Sequence, residues 1–259
     1  MTGNILILIA LQKVSSLHSS SKLLFRCLSC TDLFVGLFSQ PIFVTYLMAI
    51  VKKNWNLCAI SENLAFISSA LLCGESICTL TAVSVDRLLF LLLRLRYRQI
   101  VTLTRVRLFV ITSWFINFAF AMTYLWGKRI FFLGSCVWLL LCLSISSCCY
   151  LKIYVCLRRQ QAQVHGSQVY PGASLNMARY KKSVSSALWI HLTLVACYLP
   201  YTIATALNSV REFTPSNVVA WSISGILVFL NSSLNPILYC WKINEVRRAT
   251  KETITQWFR

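Results

Sequence analysis

Seven stretches of this chain are too apolar, and most of them too long, for a water-soluble fold; they lie near 1–13, 23–47, 60–89, 107–126, 131–155, 184–206 and 217–240. A helix needs roughly 20 apolar residues to cross a bilayer core, and all but the first stretch reach that length. In hydrocarbon every backbone N–H and C=O must be bonded within the protein, which leaves only helices or closed barrels. Runs this uniformly apolar lack the alternation of barrel strands. The expected fold class is all-α, a polytopic membrane protein built as a seven-transmembrane helix bundle.

The first stretch covers 13 residues, too few to span at about 1.5 Å per residue. No charged n-region with a cleavage site precedes it, so the expectation is a first helix truncated at its N-terminus. Residues 1–241 are expected to form the bundle and 242–259 a cytoplasmic amphipathic helix and tail. In the latter, Ile243, Val246, Ile254 and Trp257 share a face against Arg247, Arg248 and Lys251.

A net charge of +18 in a soluble chain would suggest nucleic acid, so the placement of the 25 Lys and Arg matters more than their sum. Twenty of them fall in the connection after the first stretch, in 87–107, in 152–182 and after residue 240. The alternate loops hold only Lys52, Lys53, Lys128, Arg129 and Arg211. Positive loops stay in the cytoplasm, which predicts an outward-facing N-terminus and a cytoplasmic C-terminus. Anionic lipid headgroups and a docking protein are then the expected partners of the basic rim, and nucleic acid is not.

Most of the 12 cysteines fall within apolar stretches without metal-ligand spacing. Only Cys58 lies in an outward loop, where a disulfide is chemically reasonable; Cys136 or a cysteine outside this chain is its candidate partner. His18, His165 and His191 are scattered, with no paired acid or metal spacing, so no enzymatic activity is expected.

An ionisable group inside the membrane costs about 2.5–3.5 kcal/mol and is a functional candidate by default. Asp32 in "CLSCTDLFVGL" and Glu75 in "LCGESICTL" are the clearest. Other polar residues are placed to meet Asp32: Asn4, Ser76, and Asn231, Ser232 and Asn235 in "NSSLNPILYCW", which lie on one side of a helix. A carboxylate ringed by hydroxyl and amide oxygens suits either a small hydrated cation or a water cluster. Pro200 and Pro236 each delete a helical hydrogen bond and mark candidate hinges, while Pro41 is read as a structural kink. Asp86 and Arg87 sit together at the inner end of the third stretch, where they can bind each other or an outside partner.

These features occur in one order. "GN" at 3–4, "LSCTD" ending at Asp32, "SVDR" ending at Arg87, Trp114, Tyr150 in "CCYLKIYVCLRR", "CYLP" ending at Pro200, and "NPILY" at 235–239 span the chain. In that order and spacing the sequence resembles rhodopsin-like (class A) G-protein-coupled receptors over its whole length. The "YLKIY" run and the short second outer loop look most like the adenosine, cannabinoid and melanocortin branch.

The resemblance implies a plasma-membrane receptor, its N-terminus extracellular, that binds an extracellular ligand and activates a heterotrimeric G protein by outward movement of the sixth helix. It implies an allosteric sodium pocket at Asp32, Ser76, Asn231, Ser232 and Asn235, with no other cofactor. It also implies a G-protein switch formed by Asp86, Arg87, Tyr150 and Tyr239, and a ligand pocket lined by Ser69, Ala70, Cys73, Tyr198, Tyr201 and Trp221. Ser69 stands where amine-binding relatives carry Asp, so an ammonium ligand is disfavoured; a lipid, a nucleoside-like molecule or a peptide side chain suits the pocket.

The chain also departs from the family pattern. "DRY" reads Asp86-Arg87-Leu88, Tyr198 replaces the toggle tryptophan, and Cys142 stands where a proline is common. Tyr180, Lys181 and Lys182 replace the acid that often clamps Arg87, and Glu62 occupies the usual disulfide-cysteine position, four residues after Cys58. The alternatives are a receptor-like chain that does not signal because its first helix is incomplete, and a transporter. A transporter would call for an inverted repeat, and none is visible.

Overall fold

The computed structural model describes residues 1–13, 18–93, 96–166, 189, 191–207, 215–242, 247–248, 250–252 and 255. The apolar stretches form α1 (Thr2–Lys13), α2 (Ser19–Val51), α3 (Trp55–Leu93), α4 (Leu103–Trp126), α5 (Lys128–Gly166), α6 (His191–Leu207) and α7 (Pro215–Lys242). Among the described residues five of these, α2 to α5 and α7, are long and apolar enough to cross a membrane. Several helices run a few residues beyond the apolar runs that announced them. A helix bonds its own backbone, so nothing forces it to stop where the hydrocarbon does.

The bundle is organised around α3, which packs against α2, α4, α5 and α7, while α1 closes against α2 and α7. Its surface is apolar: Phe115, Val137, Leu151 and Ile237 are 71%, 66%, 64% and 61% exposed. Its interior holds Asn4, Asp32, Glu75, Ser76, Asn117, Asn231 and Asn235, each buried. A water-soluble protein shows the opposite arrangement; lipid outside and polar side chains bonded between helices inside is the membrane solution.

Local chemistry sets the bends and ends. Pro41 has no N–H to donate and its ring crowds the preceding turn, and α2 answers with one π-helical turn, Val35–Ser39, just before it. The α2–α3 connection is only three residues long. Lys53 takes the left-handed conformation (φ 53°) as Asn54 N–H bonds the Ala49 carbonyl at 3.0 Å, and the Asn54 side chain then caps α3 through Leu57 N–H at 3.2 Å. Between α4 and α5 a single extended residue, Gly127, turns the chain. Through the position of Cys142, α5 runs unbroken.

One α-helical turn, Tyr97–Ile100, fills the connection between α3 and α4 at the basic end of the bundle. The amphipathic-helix expectation for 242–259 falls mostly outside the described residues. Within them, the Arg247 side chain donates to the Cys240 carbonyl at 3.0 Å and Arg248 pairs with Glu252 at 3.1 Å.

Candidate functional site

Three helices converge on Asp32, which is 2% exposed on α2. Ser76 on α3 donates its hydroxyl to Oδ1 at 3.0 Å, and the Asn235 amide on α7 donates to Oδ2 at 2.7 Å. Ser232 turns toward the same carboxylate, and its carbonyl accepts from Asn4 Nδ2 of α1 at 3.2 Å. Gly3 lets α1 come this close, since a Cβ there would lie 3.0 Å from the Pro236 ring. Asn4 Oδ1 and Asn231 Nδ2 are buried without a partner. A carboxylate, hydroxyls and an amide oxygen, with orphaned polar atoms beside them, form a donor set that fits a small hard cation with its waters. Asn231 is thus buried in this region, but its amide nitrogen reaches nothing.

All six expected pocket residues, Ser69, Ala70, Cys73, Tyr198, Tyr201 and Trp221, line one cavity of about 80 Å³ at the end of the bundle away from the basic rim. Its walls are mainly aromatic: Phe66 stacks on Trp221 (5.1 Å, 18°) and on Tyr124 (4.7 Å, 9°). Tyr198 is 2% exposed, and its hydroxyl donates to the Cys73 carbonyl at 3.4 Å, so α6 touches α3 across the cavity floor.

At the basic end the structure corrects one option left open by the sequence. Asp86 does not pair with its neighbour Arg87; it accepts from Tyr97 OH at 2.6 Å and from Ser21 Oγ at 2.7 Å. Burial first, and then the bond to Asp86, raise the pKa of the Tyr97 phenol well above its ordinary value. Arg87 lies over the Phe25 ring at 5.6 Å, and among the described residues no carboxylate pairs with it. Tyr150 is 5% exposed and packs against the His191 ring at 4.8 Å. The Tyr239 side chain, like Tyr180, Lys181 and Lys182, lies outside the described residues. Pro236 is buried within α7, and α6 passes helically through Pro200.

The Cys136 option for the disulfide is also corrected, since within this chain Cys58 is a free thiol, as are the other cysteines; a partner outside the chain stays an expectation. Cys136 is buried inside the bundle with its thiol against the Thr202 carbonyl of α6 at 3.8 Å, turned away from any loop. Glu62 instead ties α3 to the α4–α5 corner, accepting from Tyr124 OH at 2.8 Å and pairing with the Lys128 ammonium.

Two clusters were not assembled in the sequence reading, which singled out Glu75 without partners and read His191 as scattered. Glu75, 0% exposed, accepts from Ser113 Oγ at 2.7 Å and from Asn117 Nδ2 at 2.9 Å, both on α4. Gly74 makes room for this, because a Cβ there would meet Asn117 Oδ1 at 2.7 Å. The signal was present: Ser113 and Asn117 are four residues apart in an apolar helix, one polar face waiting for a partner. His191 of α6 is the second cluster, with Ser146 Oγ 3.1 Å from Nδ1, Ser147 Oγ 3.2 Å from Nε2, and Ser84 of α3 joined to Ser146 at 2.9 Å.

Comparison with known proteins agrees with this geometry. The family model for the 7 transmembrane receptor (rhodopsin family) matches residues 3–131 and 122–239. Similar proteins include trace amine-associated receptor 5 of Homo sapiens, 26% identical over 98% of this chain and 81% of that protein. Adenosine receptor A3 of Canis lupus familiaris is 24% identical over 96% of this chain and 85% of its own length. For adenosine receptor A2a of Homo sapiens the figures are 26%, 97% and 68%. A bundle of apolar helices with a polar centre, matched by the family model along nearly all of its length, places this chain among the rhodopsin-family seven-transmembrane receptors.

Proposed function

We propose that this chain is a plasma-membrane receptor with its basic end in the cytoplasm, which takes an extracellular ligand in the aromatic cavity and activates a heterotrimeric G protein by outward movement of α6. The observation that carries the proposal is the state of Arg87. Asp86 is taken up by Tyr97 and Ser21, so the adjacent guanidinium has no carboxylate partner among the described residues and is available to a protein docking at the basic end. The surrounding Lys and Arg would meet anionic lipid headgroups, at about 1 kcal/mol per well-placed residue.

The helix that must move carries both ends of the device. Tyr198 and Tyr201 of α6 face the cavity, and His191, about two turns away on the same helix, bonds Ser146 and Ser147 of α5. Pro200 supplies a missing backbone bond beside the two tyrosines, so a ligand pressing on them acts near the softest part of α6. Asp32, Ser76, Ser232 and Asn4 would hold a sodium ion, with Asn231 and Asn235 beside them. Bound there, sodium would neutralise the carboxylate and hold α2, α3 and α7 together, favouring the inactive state.

The relatives' names point to amines and to adenosine. No carboxylate lines this cavity among the described residues, which favours an uncharged ligand. The test is a cell assay reading each G-protein class, basally and with added ligands, on the chain and on Arg87→Ala. The substitution is expected to abolish activation while leaving surface expression measurable. Silence from every class, with and without ligand, counts against the proposal.

A further inference from the structure

We infer that the aromatic cavity is built for an uncharged, planar ligand recognised through its hydrogen-bond acceptors. This deepens the receptor proposal, resting on its assignment of the cavity as the ligand site. Three polar atoms belonging to lining residues are buried with no partner: Ser69 Oγ, Trp138 Nε1 and Trp221 Nε1. An indole N–H can only donate, and a hydroxyl can also donate, so the unmet demand of the wall is for acceptors. Tyr201's hydroxyl lies near the Trp221 N–H without meeting it in full hydrogen-bond geometry, so this donor is at best weakly satisfied. Trp221 is 7% exposed, and a donor so deeply buried is costly to leave unmade.

Charge is excluded by what the wall lacks. Among the described lining residues none is Asp, Glu, Lys or Arg, and Glu62, outside the lining, is paired with Lys128. An ammonium entering the cavity would lose its water and gain no counter-ion.

Shape follows from the rings. At about 80 Å³ the cavity is well below the ~300–1,000 Å³ of ligand sites in general. Admission therefore requires side chains to part, and the Phe66–Trp221 stack (18° between planes) parts most cheaply for another flat ring slipped against it.

The test uses the purified full chain in nanodiscs and a panel of bicyclic heteroaromatic fragments. Each is paired with a partly saturated analogue that is protonated at neutral pH, as isoquinoline is with tetrahydroisoquinoline. Binding is read by ligand-observed NMR. The uncharged members are expected to bind roughly tenfold tighter than their ammonium partners. Trp221→Phe and Ser69→Ala should each weaken them roughly threefold or more without lowering the melting temperature. Ser69→Asp supplies the missing counter-ion and should raise tetrahydroisoquinoline binding.

The inference is overturned if the ammonium members bind as well or better, if no fragment of the panel binds, or if the hits ignore both Trp221→Phe and Ser69→Ala. Because binding is measured without a G protein, a chain that takes the uncharged fragments but never signals keeps this inference and loses the signalling one. A chain that signals basally yet selects ammonium does the reverse.

Discussion

Asp32 and Glu75 are both carboxylates sealed inside the bundle, 2% and 0% exposed, yet their surroundings are completed in different ways. Glu75 is held by two donors from one neighbouring helix, and none of those three side chains is left with an orphaned atom. Asp32 is met from α3 and α7, with α1 alongside, and Asn4 and Asn231 keep buried atoms with no partner. A closed pair binds two helices together. An incomplete ring spanning four helices leaves room for something else and ties its content to how those helices sit. Burial and residue type are alike; the number of helices and the unmet atoms separate a clamp from a candidate site.

The sharpest break is expected in the response to sodium. Purified chain melted in sodium chloride and in choline chloride should show stabilisation by sodium, about 2.7 kcal/mol at a hundredfold excess over Kd. Asp32→Asn should remove that difference and Glu75→Gln should keep it. Equal responses in the two variants would erase the distinction drawn above.

Next comes the clamp. Glu75→Leu strips the acceptor from Ser113 and Asn117 and should cost about 1–3 kcal/mol, seen as a lower melting temperature. Part of the loss is spared because both donors keep a backbone acceptor, Val110 O and Ser113 O. Unchanged stability would mean that the closed pair clamps nothing.

The His191 cluster lies between these extremes, being fully bonded yet attached to the helix proposed to move. His191→Leu removes two bonds, while Ser146 keeps Ser84 and Ser147 keeps the Leu143 carbonyl, so no orphan is created. At a net ~0.5–1.5 kcal/mol per bond, the open population should rise by about fivefold or more. Spin-label distances between α3 and α6 would register this directly, and a closed distribution identical to the parent's would discard the clasp.

The smallest effect is expected at Glu62, whose Lys128 partner is mostly exposed. Glu62→Gln should cost under about 1 kcal/mol and remove the salt dependence of that corner's hydrogen exchange. A larger loss would promote this pair to the role that the family resemblance gave to a disulfide.

The helices and the polar cluster were legible to different degrees. Apolar runs announced each helix, because a bilayer imposes one length and one backbone solution. The helix ends at Val51 and Trp55 were not legible, since the turn and cap there depend on Lys53 and Asn54 rather than on hydropathy. Asp32, Ser76 and Asn235 could be grouped from motif order, and the bonds exist. The partners of Asp86 and Glu75 could not, because Tyr97 sits in a connecting turn and Ser113 on another helix.

The amino-acid sequence by itself determined that this chain is a bundle of membrane helices, which residues are too polar to face lipid, and the family to which it belongs. Those follow from composition along one dimension and from the cost of unbonded backbone in hydrocarbon. Only the tertiary structure decided which acid is closed and which is open, that Arg87 stands apart from Asp86, and that the aromatic cavity presents donors without partners. Each is a matter of which side chains meet across helices far apart in sequence, and a hydrogen bond is made or missed over a fraction of an ångström that no pattern of residues records.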